Sequence, residues 1–231
     1  MSSKAIQIST KVVMVLLSLL SVEALAHGVD DSTRNFLENN TGVQFIPFLY
    51  IGAKHMVTGY DHLLFLVGVI FFLYRSKDVL LYVTMFTIGH SVTLLYGVLN
   101  DINVNAYIID AIIGLSVAYK GFDNLGGFKK VIGRQPNTKL AVLIFGLFHG
   151  FGLATKLQEF NIPEDGLLSN IIAFNLGVEL GQFAALGVIL LLINAWRKLP
   201  SYEQFSIATN TALMSAGFML VGFQMAGFLL N

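Results

Sequence analysis

The strongest constraint on this chain is a succession of apolar runs, each near the length needed to cross lipid, joined by short charged turns. They fall at about Gly59–Tyr74, Val79–Leu99, Val104–Phe122, Lys139–Leu157, Leu167–Trp196 and Ser206–Leu230. In hydrocarbon every backbone N–H and C=O must be bonded within the protein, so such runs fold as helices. The expected fold class is all-α: a polytopic membrane protein, a six-transmembrane-helix bundle after a cleaved signal peptide. Composition agrees, with 55% hydrophobic and only 12% charged residues. Soluble domains carry about a quarter charged residues, so a water-soluble globule is excluded. Disorder is excluded too, because it needs low hydrophobicity and high net charge.

The first apolar run, Val12 to Leu20, is too short to span. It follows Lys4 and Lys11 and precedes Ala24-Leu25-Ala26, which is the pattern of a secretory signal peptide cut after Ala26. The expected organisation is a signal peptide at 1–26, a short, acidic periplasmic segment at 27–44 and a transmembrane domain at 45–231. Phe45 to Ile51 reads as an interfacial turn or an extension of the first span, with Pro47 as a helix breaker. Gly126 to Asn137 reads as a linker.

With the mature N-terminus outside, nine basic residues fall on cytoplasmic connections: Arg75, Lys77, Lys120, Lys129, Lys130, Arg134, Lys139, Arg197 and Lys198. Three fall outside: Arg34, Lys54 and Lys156. This positive-inside bias puts both mature termini on the outer side, and the expected location is a bacterial inner membrane with those termini periplasmic. It rests on different residues from the signal peptide, and the two agree.

Function must then lie in the polar residues within the spans. Lys+Arg and Asp+Glu are both 14, leaving no basic surplus for nucleic acid. Cysteine is absent, so any metal is held by imidazole, carboxylate, amide or backbone oxygen. The spans carry His55, Asp61 and His62; His90 beside Ser91; Asp110; His149; and Asn175, Glu179 and Gln182. An ionisable group near the bilayer centre costs about 2.5–3.5 kcal/mol. Lys54 and Lys120 stand only at span ends, so these carboxylates have no expected partner. A group of imidazoles and carboxylates without a resident cation is suited to receive one.

Counted at 1.5 Å per residue, the group lies within about 18 Å of the outer surface. His62, His90, His149 and Glu179 are therefore expected to converge on one divalent transition-metal ion, below a cavity open to the periplasm. His55 would attract the ion. Asp61 points about 100° away from His62 on a continuous helix, and is expected to orient a histidine of another helix. Asp110, Asn175 and Gln182, with Ser91, would orient the other ligands. Gly146/Gly150 and Gly177/Gly181 have GxxxG spacing, which would bring His149 and Glu179 together. Asn210, Ser215 and Gln224 read as helix–helix glue.

Four stretches resemble one known family, the HupE/UreJ membrane proteins, in its "DHLLFL" branch. They are His55-Met-Val-Thr-Gly-Tyr-Asp61-His62-Leu-Leu-Phe-Leu, Phe86-Thr-Ile-Gly-His90-Ser91-Val-Thr-Leu, Phe145-Gly-Leu-Phe-His149-Gly150-Phe-Gly, and Phe174-Asn175-Leu-Gly-Val-Glu179-Leu-Gly-Gln182. At the third span Asp110 stands where the family usually has Glu. The resemblance implies a signal sequence, six helices, and nickel or cobalt uptake beside hydrogenase or urease maturation. It also implies that His55, Asp61 and His62 are metal residues of the first helix.

The reading is a permease for a divalent metal ion (Ni, Co or Zn), with nickel favoured. No Walker-type loop is present, so transport would be facilitated or ion-coupled. The alternative is an intramembrane zinc-type hydrolase using the same residues, with Glu179 or Asp110 as general base. The apolar inner halves of the spans count for that enzyme. A metal sensor or assembly partner is a third reading. Mass spectrometry of the mature protein should find His27 at the N-terminus, and a reporter within 126–137 should lie on the cytoplasmic side. A chain starting at Met1 in membranes, or a periplasmic reporter, would overturn these two assignments.

Overall fold

Side chains that satisfy backbone at helix starts and breaks decide how the apolar runs are divided. Asn105 Oδ1 accepts the Ile108 N–H at 3.2 Å, and Asn137 Oδ1 accepts from Lys139 and Leu140. Each opens a helix. The computed structural model describes residues 35–37, 39–73, 75–158 and 164–230, and they contain no strand. The helices are α1 (Phe45–Thr58), α2 (Tyr60–Ile70), α3 (Ser76–Leu99), α4 (Ala106–Asn124), α5 (Gly127–Ile132), α6 (Thr138–Gln158), α7 (Leu167–Trp196) and α8 (Ser201–Leu230). The expected signal peptide lies outside the described residues.

The all-α membrane bundle stands, but the count of six uniform spans needs correction. Among the described residues four helices, α3, α6, α7 and α8, are long and apolar enough to cross a membrane. The first expected span is interrupted at Gly59, whose ψ of 100° is not helical, so α1 and α2 are separate helices. α4 carries Asp110, Lys120 and Asp123 and is the most charged of the expected spans. Pro47 does not break α1: it sits in the first turn, where its missing N–H has no helical acceptor. The expected linker contains α5, flanked by left-handed Gly126 and Gly133 at φ 71° and 74°.

Three close helix pairs build the bundle: α1 with α7, α3 with α6, and α4 with α8. Glycine makes each approach. A methyl group on Gly177 would overlap the Leu49 carbonyl, and one on Gly146 would overlap the Phe86 carbonyl. In the third pair, a methyl on Gly217 would overlap the backbone of Ala118. The two GxxxG steps thus serve different pairs and do not join His149 to Glu179 as expected. α2 packs on α4 and touches α1, α7 and α8. Large apolar side chains such as Ile207, Phe223, Leu191 and Leu229 point outward, as lipid contact requires.

The free carbonyls at the end of short α2 are answered from neighbouring elements. Arg197 donates to the carbonyls of Ile70 at 2.8 Å and Phe71 at 2.6 Å. The Tyr202 hydroxyl donates to Phe71. Asn124 Nδ2 donates to the Gly68 carbonyl and to Asn210 Oδ1, both at 2.8 Å. Near the other end of the bundle, Asn170 accepts the Gln44 N–H and donates to the Gly42 carbonyl. Leu37 is buried in the core there.

Gly177→Ala should lower the unfolding midpoint in a denaturing-detergent titration, by about 1–3 kcal/mol of overpacking. Gly187, with open space around its Cα, should tolerate Ala and gain up to about 1 kcal/mol of helix propensity. Equal effects at the two positions would refute this account of the α1–α7 contact.

Candidate metal centre

The break at Gly59 places His55 in the last turn of α1 and Asp61 in the first turn of α2. Gly59 is required there by space. A Cβ would lie 2.7 Å from His62 Nδ1 and 3.2 Å from Asp61 Oδ1. Those two atoms are 2.9 Å apart. An ionised carboxylate only accepts, so Nδ1 donates and Nε2 keeps its lone pair. That Nε2 is buried and has no hydrogen-bond partner. Among the described residues, Asp61, His62 and His149 each offer a ligand atom within 4.8 Å of the others, and all three are buried.

The other histidines surround this trio. The His62 ring centroid lies 4.7 Å from His149 and 5.2 Å from His55. His90 is fully buried and stacks on Phe86 at 6.2 Å. Phe86 also touches His149 at 4.9 Å and His62 at 6.3 Å. Neither ring nitrogen of His90 or His149 has a hydrogen-bond partner, and His55 Nε2 has none. Imidazole nitrogens left dry and unbonded are costly unless something else engages them.

The convergence differs from expectation in three respects. Asp61 does not reach a histidine of another helix, because the continuous-helix geometry behind that expectation ends at Gly59; it holds its own neighbour. Glu179 is half-buried and outside the trio. The buried face of α7 runs through Phe174, Val178, Gly181 and Gln182, and Glu179 falls at its edge. Asp110 is not an unpartnered carboxylate: both its oxygens bind Lys156 Nζ, at 3.1 and 2.9 Å. Lys120 is likewise buried and pairs with Asp123 at 2.6 Å. The expectation that these carboxylates lack a basic partner is therefore corrected for Asp110, whose partner Lys156 stands, like Lys120, near a span end.

The remaining candidates are placed as follows. Gln182 is fully buried and accepts the Thr87 hydroxyl at 2.9 Å, tying α7 to α3. Asn175 donates to the Ile171 carbonyl, while its Oδ1 has no partner. Ser91 is half-buried. Sequence reasoning assigned no role to Phe86, Thr87 or Lys156. Lys156 is seven residues beyond His149, hence on the same face of α6, and that spacing was a usable signal.

Helices of this apolarity around a buried imidazole–carboxylate group define a polytopic membrane protein with a candidate cation site. The sequence matches the family model described as HupE / UreJ protein over residues 31–231, and the chain belongs to that family. No curated protein matches it, and no solved structure does.

Lys156→Met should destabilise the protein by about 3–5 kcal/mol, because Asp110 would be left charged and alone. Asp110→Asn combined with Lys156→Met should recover most of that loss in the same unfolding titration. A double variant as unstable as the single one would show that the pair is not the cause.

Proposed function

We propose that this protein is an inner-membrane permease for a divalent transition metal, with nickel the favoured substrate and cobalt the alternative. The observation that carries the reading is the buried Asp61–His62–His149 group with ligand atoms within 4.8 Å. Imidazole and carboxylate suit divalent nickel, cobalt and zinc alike, and family membership favours the first two. Bonds of about 2.0–2.1 Å in a tetrahedral site set donors roughly 3.3 Å apart. Loading the ion therefore needs a contraction of at most about 1.5 Å.

In this reading Asp61, His62 and His149 hold the ion, and His55 and His90 flank it. Glu179, Asn175, Gln182 and Ser91 lie around it as positioning residues. The basic end of the bundle faces the cytoplasm, after cleavage of the signal peptide. The ion then serves hydrogenase or urease maturation. The hydrolase alternative takes Glu179 or Asp110 as its general base. Glu179 lies outside the group and Asp110 is bound to Lys156, which favours transport.

The test is elemental analysis of purified protein with uptake measured in proteoliposomes. His62→Ala and His149→Ala should each lower bound metal at least tenfold, the scale on which ligand loss acts. Gly59→Ala should do the same by displacing the His62 ring. Gln224→Ala should leave metal content unchanged. Wild-type metal content in His149→Ala would sink the proposal.

A further inference from the structure

One face of each of α2, α3 and α6 carries the same succession of side chains. On α2 it is His62, Phe65, Val69; on α3, His90, Phe86, Val83; on α6, His149, Phe145, Val142. Steps of three, four and seven residues keep a helical face, so the helices stack three histidines over three phenylalanines over three valines. The contacts bear this out. Phe65 lies 5.5 Å from Phe86 and 5.9 Å from Phe145, and touches His149 at 5.8 Å. All three valines are buried in one core with Phe65 and Phe86, and Phe145 packs against it.

Below this layer lies a cavity of about 490 Å³ at the basic end, lined by Val69, Leu73, Tyr82, Lys120, Asp123 and Thr138 among others. Val69 belongs both to the apolar layer and to the cavity wall, so the layer is thin. Seven residues from histidine to valine correspond to about 10 Å. The carboxylate in the cavity is held on both oxygens: Oδ2 by Lys120 and Oδ1 by Gln135 Nε2 at 2.9 Å.

From this column we infer that Phe65, Phe86 and Phe145 are the barrier to cation passage, and that the Asp123 cavity is where the cation is released. The inference rests on the permease reading and gives it a route. A divalent ion cannot rest among aliphatic side chains without losing its hydration. It can cross a single ring layer, whose π faces attract cations, when the rings part. Beyond the rings it passes the valines, of which Val69 already faces the cavity, and then meets water and one carboxylate. Lys120 competes with it for that carboxylate, so the ion is received weakly and leaves.

The absence of native cysteine makes the route testable by single cysteines in inside-out vesicles. A membrane-impermeant thiol reagent should label Thr138→Cys and spare Val83→Cys. In a Phe65→Ala background, Val83→Cys should label at least tenfold faster, and nickel flux in proteoliposomes should rise severalfold. Equilibrium nickel binding should stay within twofold of wild type. Phe65→Val, which removes the ring but keeps a smaller apolar side chain, serves if the Ala variant does not fold. Asp123→Asn should slow flux without changing bound nickel. Unchanged labelling and flux in both Phe65 variants, with nickel binding intact, would overturn the barrier alone. Absence of nickel binding by the wild-type protein would overturn the permease reading instead.

Discussion

Everything in the histidine group depends on the interruption of the helix at Gly59. A continuous helix from Phe45 to Ile70 would direct Asp61 away from the face shared by His55 and His62. The break lets α1 and α2 take separate courses while the Gly59 N–H still bonds to the His55 carbonyl. The Leu63 N–H then bonds to Gly59 and starts the second helix. Irregular backbone at membrane depth is tolerated only where protein buries it. Gly59 is buried, and its missing side chain is the space that the His62–Asp61 pair fills. Broken helices of this kind recur where membrane transporters hold their substrates.

The glycine-mediated pairs support that break. α1 is fastened along α7, and α6 along α3, by backbone contacts that admit no side chain. His55 and His149 therefore arrive on two rigid pairs, with α2 bringing His62 between them. α2 itself is too short to be held by its own length. Arg197 and Tyr202 fix its far end by capping Ile70 and Phe71, and Asn124 holds Gly68. The group can thus be assembled by three elements whose positions are set elsewhere.

Much of this was legible in the sequence. The apolar runs gave the helices, and the histidines inside them gave the residues that now lie together. Asn210 does act as helix glue, through Asn124. What was not legible depends on helical phase and on long-range partners. A lone glycine in an apolar run looks the same whether the helix passes through it or stops. Glu179 is one residue beyond Val178, and that single step moves a side chain from the buried face to its edge. The Asp110–Lys156 pair joins two helices 46 positions apart. Pro47 looked like a breaker only because the start of α1 was placed too late.

Buried Lys120 and half-buried Lys156 explain how carboxylates persist in α4 without belonging to the histidine group. A buried carboxylate alone would have to be protonated or leave the membrane interior. Asp110 and Asp123 instead each meet an ammonium, one from α6 and one from α4 itself. Both pairs are internally neutral, so neither competes strongly with the histidine group for a cation. The histidine group lies between the levels of these pairs, and its one carboxylate is already turned toward His62. The Nε2 atoms of His55 and His62 and both ring nitrogens of His90 and His149 are buried without hydrogen-bond partners, and that is what distinguishes this polar group from the rest.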